Sequence, residues 1–305
     1  MWPSKEHDRV RILTALKNHN ANVQPLPGLN DPRAADVLAL QFVASLRREA
    51  YYRIVQSKPV SINRTDPNHQ SFDAERAVGY FVNHGMIDEA SWLIFLMTHL
   101  AKPADSGWLR LQDIYGKLGA GTWDWATVSQ NPAAFVSWLT QNWQQIRGKF
   151  GSHRKYESLR PNANRNMQRL LSDYVGWIGT AGHQLFFSKA VQRIGNDPHK
   201  IFDTLFREMK LCSFGRLAKF DYLMLISRYG IAPIQPGSAY LPGATGPQAG
   251  TRLLFDGDRT GPTSIKDLQS MLDRLDVDLN VGMEVMEDAL CNWQKNPLHF
   301  VHFKG

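Results

Sequence analysis

The stretch Leu241-Pro242-Gly243-Ala244-Thr245-Gly246-Pro247 decides how the fold is interpreted, because it places two glycines in a short turn between helical segments. Glycine has no Cβ, so a phosphate group can approach the backbone closely there. The positive N-terminal end of the helix that follows also favours an anion. The turn therefore predicts contact with a phosphate backbone through Gly243, Thr245 and Gly246.

Helical periodicity dominates on both sides of this turn, and no two segments show convincing strand pairing. Apolar residues recur at helical spacing over 32–55, 73–83, 88–100, 108–118, 167–180, 184–194, 198–210, 214–229, 248–255, 265–279 and 283–295, with a further helix starting after Asn131-Pro132. The sequence predicts an all-α fold. We expect a helical extension over 1–68, a helical catalytic and DNA-binding region over 69–300, and a tail over 301–305.

Composition excludes several classes of protein. The chain has 305 residues, of which 43% are hydrophobic, and this is enough to bury a large core. No stretch approaches the roughly 20 apolar residues that span a bilayer, and the N-terminus lacks a signal-peptide core. Cys212 and Cys291 lie too far apart in sequence to suggest a disulfide framework or a metal cluster. We expect a cytoplasmic protein that needs no metal, cofactor, membrane or obligate protein partner.

The formal net charge of +7 is concentrated in one stretch between Arg147 and Arg169. Seven basic residues there face a single acid, Glu157, which leaves the stretch with a net charge of +6. Such a stretch is typical of a polyanion partner, although a solvated linker is the alternative. The expected phosphate contacts are Arg154, Lys155 and Arg165 in this stretch, and Arg216, Lys219 and Arg252 nearer the turn.

The turn resembles the helix-hairpin-helix motif, in which Leu-Pro-Gly is followed by one residue and a second glycine. Here two residues separate the glycines, and an ordinary structural loop is the alternative. The stretch Gly215–Asp221 resembles the helix that precedes this hairpin in helix-hairpin-helix DNA glycosylases. This resemblance implies a DNA-glycosylase-like core. It also implies a catalytic aspartate at the start of a later helix, where this chain has Asp267, although Ser264 and Asp267 also fit a capping box.

The second hairpin helix distinguishes glycosylases with lyase activity from those without it. The lyase members of that group carry a lysine at the start of this helix, whereas the present chain has Gln248. Glutamine cannot form a Schiff base. The resemblance therefore implies a glycosylase without lyase activity, in which Gln248 contacts DNA.

Five longer stretches are similar to clade 3 of the alpha-glutamyl/putrescinyl-thymine pyrophosphorylase family. They are Asp88–Leu96, Asp113–Gly119, Phe214–Leu223, Gly243–Pro247 and Glu287–Lys295. The resemblance implies a role on phage DNA that carries elaborated pyrimidines. Some members are implicated in attaching amino acids or polyamines to activated hydroxymethyluracil. Others, in bacterial defence loci, resemble glycosylases that excise glucosylated hydroxymethylcytosine, and both activities need the base outside the duplex stack.

Hydrolysis of an N-glycosidic bond develops positive charge on the sugar, which a carboxylate can stabilise. The candidate catalytic residues are Asp267, Asp288 and Asp221. For each a structural role is the alternative: a helix cap, a buried hydrogen-bonded side chain and an ion pair, respectively. The candidate base pocket consists of His183, Gln184, Phe187 and Asn292, although a helix cap followed by core phenylalanines also explains the first three.

These observations favour a monofunctional DNA glycosylase that acts in anti-phage defence. Its expected substrate is double-stranded phage DNA with a bulky modified pyrimidine, such as glucosylated 5-hydroxymethylcytosine, and its product is an abasic site. One alternative is a transferase that places an amino acid or polyamine on thymine in DNA. The other is a non-catalytic binder of modified DNA.

Overall fold

The computed structural model describes residues 2–151 and 158–303, and these residues form helices and no strand. The all-α prediction is therefore confirmed. The described residues divide into two compact units. One contains the residues up to Tyr51 together with those from Pro236 onward, and the other is Tyr52–Gln235. The domain bounds expected from the sequence stay a prediction.

Twelve of the fourteen α-helices in the described residues match the segments of predicted helical periodicity, and the helices Glu6–Asn22 and Trp125–Gln130 lie outside those segments. The helices are α1 (Glu6–Asn22), α2 (Pro32–Ser57), α3 (Ala74–Asn83), α4 (Ile87–Leu100), α5 (Leu109–Tyr115), α6 (Trp125–Gln130), α7 (Pro132–Asn142), α8 (Met167–Ile178), α9 (His183–Ile194), α10 (Pro198–Glu208), α11 (Arg216–Arg228), α12 (Thr245–Asp256), α13 (Ile265–Leu279) and α14 (Met283–Trp293). Several of them begin after an Asp, Asn or Ser whose side chain accepts a hydrogen bond from a first-turn N–H, as at α3, α6, α7, α8, α10 and α13. None of the helices in 2–151 and 158–303 is both long and apolar enough to cross a membrane.

The unit that contains α1, α12, α13 and α14 is held together by one apolar core. Leu16, Phe42, Leu272 and Trp293 are fully buried in it. The indole Nε1 of Trp293 donates a hydrogen bond of 3.1 Å to the carbonyl of Ala34, at the start of α2. The helices at the two ends of the sequence therefore share a core, although more than 180 residues separate them in the chain.

A turn over residues 241–244 lies in this unit, whereas Thr245 and Gly246, which the sequence placed in the turn, belong to the start of α12. The N–H of Ala244 donates to the carbonyl of Leu241 at 2.9 Å, and Gly243 has φ +75°. Pro-Gly at the two central positions favours such a turn. However, α11 ends at Arg228 and belongs to the other unit, and residues 229–244 separate it from α12. A helix-hairpin-helix core is therefore not confirmed.

Two glycines at the start of α12 allow it to approach α14 closely. A Cβ on Gly246 would lie 2.6 Å from Sγ of Cys291, and a Cβ on Gly250 would collide with the carbonyl of Leu290. The side-chain amide of Gln248 donates to the carbonyl of Leu241 at 2.6 Å and so braces the turn. Packing within the unit thus accounts for Gly246, and its role at a phosphate stays a prediction.

The other unit is built around α4, whose side chains are buried from Ala90 to Leu100. Aromatic rings surround this helix, and Phe95 stacks on Tyr174 with 3.6 Å between ring centroids. Trp123 and Trp125 are also buried here, so these tryptophans pack in the core. The first turn of α4 has a different character, because it carries two acidic side chains, Asp88 and Glu89.

Candidate active site

A cavity of about 570 Å³ lies at the start of α4. Its wall includes the acids Asp66, Asp88, Glu89 and Asp124, the aromatic side chains of Phe81, Tyr115 and Trp125, and the polar side chains of Thr65, Thr122 and Gln184. All of these residues belong to the Tyr52–Gln235 unit. The volume falls within the range of small-molecule sites, and the mixture of aromatic walls with a few polar groups is typical of them.

Glu89 is a wall residue whose pKa the fold moves close to neutral pH. Its Oε1 accepts a short hydrogen bond from Tyr115 Oη, and its Oε2 accepts one of 2.7 Å from the N–H of Trp125. Burial raises the pKa of Glu89 to about 7, although these two hydrogen bonds oppose the shift; the nearby carboxylates of Asp124 and Asp88 raise the pKa further. At neutral pH Glu89 is therefore divided between its acid and carboxylate forms and can exchange a proton with a ligand.

The pKa of Asp88 is shifted in the opposite direction. Its Oδ1 accepts a hydrogen bond of 3.0 Å from the N–H of Gln184, and Nδ1 of His183 lies 3.8 Å away. The interaction with His183, followed by the N–H of Gln184, lowers the pKa of Asp88. Gly182 has φ +86°, and a Cβ at that position would collide with the Asp88 carboxylate. The start of α9 is thus shaped to hold an ionised Asp88.

A row of buried polar side chains lies behind Asp88. His183 is fully buried, and its Nε2 lies 2.7 Å from Tyr174 Oη, which in turn lies 3.0 Å from Tyr222 Oη. Burial lowers the pKa of His183, so the ring is neutral at neutral pH. With the proton on Nδ1, the ring faces Asp88 with a donor and accepts from Tyr174 with Nε2. The row meets Asp88 through the 3.8 Å approach of His183 Nδ1, which is longer than a hydrogen bond.

Adjacent carboxyl groups with opposite pKa shifts can divide acid and base roles between them. At neutral pH Asp88 is ionised and can stabilise a positive charge, whereas the protonated form of Glu89 can donate to a leaving group. Both sit in the first turn of α4, where the helix dipole favours acidic side chains. In residues 2–151 and 158–303 no group of three or more His, Cys, Asp and Glu side chains is arranged to hold a metal ion.

The residues predicted for a base pocket lie in several places. Gln184 is in the cavity wall, and His183 lies directly behind it. Phe187 is buried one turn further along α9, where its ring contacts Phe186. Asn292 is on α14, in the other unit, and donates a hydrogen bond of 2.9 Å to Asp288.

The three predicted catalytic aspartates lie outside the cavity wall. Asp267 is exposed in the first turn of α13, and its N–H donates a hydrogen bond of 3.2 Å to Ser264 Oγ, as in an N-cap. Its carboxylate accepts a hydrogen bond of 2.7 Å from the Ser264 hydroxyl. Asp288 on α14 pairs with Arg48 of α2. Asp221 is half-buried on α11. Structural contacts are thus present at Asp267 and Asp288, and the catalytic role of all three stays a prediction.

The basic stretch carries less unpaired charge than its sequence suggests. Arg147 makes a two-pronged ion pair with the buried Asp113, with Nη2–Oδ1 and Nε–Oδ2 distances of 2.7 and 3.0 Å. Lys149 pairs with Asp105 at 2.7 Å. Arg165 is exposed. Two of the other predicted contacts, Arg154 and Lys155, lie outside the described residues.

The predicted contacts nearer the turn make internal interactions. Arg252 donates to the carbonyls of Gly261 and Thr263 at 2.7 and 3.2 Å and so holds the loop after α12. The guanidinium of Arg216 lies 4.7 Å from the ring centroid of Phe220, and Lys219 Nζ donates to the carbonyl of Phe206 at 3.3 Å. By contrast, Gly243 and Thr245 are exposed at the turn.

Sequence reasoning did not select Glu89 or Tyr115 as functional residues, although both lie in stretches singled out by resemblance. The available signal was a pair of acids, Asp88 and Glu89, directly before eleven residues that the fold buries. That pattern also describes an ordinary helix start. Phe214–Leu223 supplies Tyr222 to the row behind Asp88, so three of the five stretches meet at this site.

Comparison with known proteins gives one match. The family model described as alpha-glutamyl/putrescinyl thymine pyrophosphorylase clade 3 matches residues 33–305. No curated protein and no solved structure matches the chain.

Proposed function

Because the chain belongs to clade 3 of the alpha-glutamyl/putrescinyl thymine pyrophosphorylase family, we propose that it is an enzyme of modified DNA, and specifically a monofunctional DNA glycosylase. Its substrate is a bulky modified pyrimidine in phage DNA, such as glucosylated 5-hydroxymethylcytosine. Its product is an abasic site, and its role is anti-phage defence. The observation that carries this proposal is the pair Asp88 and Glu89, two adjacent carboxyl groups with opposite pKa shifts in one cavity wall.

The chemistry follows from this pair. As the bond between the base and C1′ of the deoxyribose breaks, its electron pair leaves with the base and positive charge develops on the sugar. Ionised Asp88 stabilises that charge, and protonated Glu89 gives its proton to the departing base. A water molecule then bonds to C1′ and returns a proton to the Glu89 carboxylate, so that the enzyme ends as it began.

The cavity wall also fits a base that has left the duplex. The rings of Phe81, Tyr115 and Trp125 offer flat apolar surfaces for a heterocycle. No lysine is present among the described wall residues, so the wall supplies no amine for a Schiff base. This supports base release without lyase activity, in agreement with Gln248 at the start of α12.

DNA contact in this proposal relies on the exposed residues. Gly243 and Thr245 at the turn and Arg165 in the basic stretch are exposed, and they are suited to meet phosphates. Arg216, Lys219 and Arg252 are also candidates for phosphate contact, and each would have to give up an internal interaction to make it.

The test is to incubate the protein with glucosylated and with unmodified phage DNA. Released bases are measured by mass spectrometry and abasic sites by alkaline cleavage. We expect base release from the glucosylated DNA, and a loss of about 100-fold or more in rate for both E89Q and D88N. E208Q and D197N are matched controls on acids of the same unit that lie outside the cavity wall, at an exposed and a half-buried position respectively, and they should keep the wild-type rate.

Other outcomes identify the alternatives. If the protein leaves no abasic sites in glucosylated DNA, the glycosylase proposal fails. A mass gain on the modified nucleoside without base release would identify a transferase, and binding without turnover would identify a DNA binder. If D221N, D267N or D288N abolishes base release while E89Q does not, the chemistry lies outside this cavity.

A further inference from the structure

We infer that the cavity at the start of α4 selects its ligand by charge, and accepts a pyrimidine whose 5-substituent donates hydrogen bonds and carries no negative charge. The inference rests on the proposed function in one respect only, namely that a base enters this cavity. It adds the class of substituent that the site accepts and the class that it rejects.

The described wall of the cavity is acidic. Four of the wall residues carry a carboxyl group, Asp66, Asp88, Glu89 and Asp124, and among the described wall residues none is a lysine or an arginine. Recognition of a carboxylate or phosphate group in proteins relies on such cations or on exposed N–H groups. A substituent with negative charge would therefore meet like charges on several sides and no counter-charge.

Backbone N–H groups at two helix starts border the cavity. The N–H of Gln184, at the start of α9, is taken by the carboxylate of Asp88, and the N–H of Trp125, at the start of α6, is taken by Glu89. An N–H at the start of a helix as long as α9 is of the kind that binds an anionic ligand. The carboxylate of Asp88 already accepts the N–H of Gln184, so at this point the wall presents an acceptor where a phosphate site would present a donor.

The other two acids of the wall, Asp124 and Asp66, each accept a backbone N–H with one carboxylate oxygen. Asp124 accepts the N–H of Thr127 at 2.8 Å with Oδ1, and Asp66 accepts the N–H of Asn68 at 2.8 Å with Oδ1. Each carboxylate is fixed by one oxygen and can offer Oδ2 to a donor on the ligand. Hydroxyl groups of a sugar, or an ammonium group, meet this requirement.

The experiment measures binding by isothermal titration calorimetry with three free nucleosides of similar size. They are 5-hydroxymethyl-, 5-aminomethyl- and 5-carboxy-2′-deoxyuridine, and the protein is the full chain at pH 7.5. We expect the carboxy compound to bind at least about tenfold more weakly than the hydroxymethyl compound, and the aminomethyl compound to bind at least as tightly.

The variants D66N and D124N, singly and together, test the cause. Asparagine keeps the oxygen that accepts the N–H of Asn68 or Thr127, and it remains a good helix cap, so each change removes charge with little change in shape. The double variant should bring the carboxy compound within about threefold of the hydroxymethyl compound. D197N changes another capping aspartate, at the start of α10, and should leave the preference as in the wild type.

Three results would overturn the inference. They are equal binding of the carboxy and hydroxymethyl compounds to the wild-type protein, an undiminished preference in the double variant, and no binding of any of the three compounds. Base release from glucosylated DNA is measured in parallel. A charge preference without base release would refute the glycosylase and leave the inference standing, whereas base release without a charge preference would refute the inference alone.

Discussion

Replacing Glu89 by glutamine should stabilise the fold at neutral and alkaline pH. Burial raises the pKa of Glu89 from 4.5 to about 7. A carboxyl group whose pKa rises on folding contributes stability below its unfolded pKa, and that contribution is lost as the pH rises through the folded pKa. At 1.36 kcal/mol per pKa unit, the ionised side chain costs the native state about 3 kcal/mol above pH 7.

Glutamine carries no charge, but it cannot accept hydrogen bonds at both terminal atoms. One of the bonds from Tyr115 or Trp125 is therefore lost, at a cost of about 1 kcal/mol at every pH. The net expectation for E89Q is about 1 kcal/mol of destabilisation near pH 4.5 and about 2 kcal/mol of stabilisation at pH 8. E89Q should lose turnover at both pH values.

The assay is urea unfolding at several pH values between 4.5 and 8, followed by tryptophan fluorescence. Seven of the nine tryptophans lie between Tyr52 and Gln235, so the signal reports mainly on the unit that contains Glu89. E208Q is the matched control, because the exposed Glu208 pairs with Arg193 and its pKa is lowered. Its effect should have the opposite sign and stay below about 1 kcal/mol. A pH-independent difference between E89Q and wild type would refute the reasoning.

The remaining predictions concern the surroundings of this side chain and the turn. D124N removes a negative charge that raises the pKa of Glu89, so the alkaline limb of the kcat/KM profile should move to lower pH; an unmoved limb would contradict this. Y174F removes the hydroxyl bonded to Nε2 of His183, and it should lower the free energy of unfolding by about 1–3 kcal/mol and lower kcat more than it raises KM. A change in KM alone would argue against a positioning role. T245E adds a negative charge at the exposed turn and should weaken DNA binding in low salt but little in high salt. Unchanged low-salt affinity would exclude the turn from the DNA contact.

The sequence predicted the helices well, because their evidence is local: apolar periodicity and capping side chains. The bounds of α13, for example, agree with the apolar periodicity over 265–279. The turn over residues 241–244 is also local, and it forms. The sequence also assigned Gly215–Asp221 to the helix that precedes the turn, and such a pairing of helices depends on tertiary structure. In the structure α11, which contains most of this stretch, lies in the other unit. Charge counting failed in a similar way, since Arg147 is paired with Asp113, which lies 34 residues away in sequence.

The chemistry of Glu89 could not be predicted for the same reason. Its pKa depends on burial, on hydrogen bonds from Tyr115 and Trp125 and on the charges of Asp124 and Asp88, and of these neighbours only Asp88 lies on α4. In sequence Glu89 is only an acid at the start of an apolar helix, where such residues are common. The sequence-based candidates were chosen by spacing from a turn, and that criterion selects helix caps as readily as it selects catalytic groups.

The two glycines of the stretch 241–247 bear differently on the hypothesis that it contacts DNA. A phosphate site would require a glycine at position 246. Packing also explains Gly246, because a side chain there would collide with Cys291. Gly243 has no neighbour within 4 Å of where a Cβ would lie, so packing does not account for it, and its φ of +75° is explained by the turn. The contact hypothesis therefore rests on the exposed side of the turn, at Gly243 and Thr245. Since the cavity belongs to the other unit, the two hypotheses stand on separate observations, and each can fail alone.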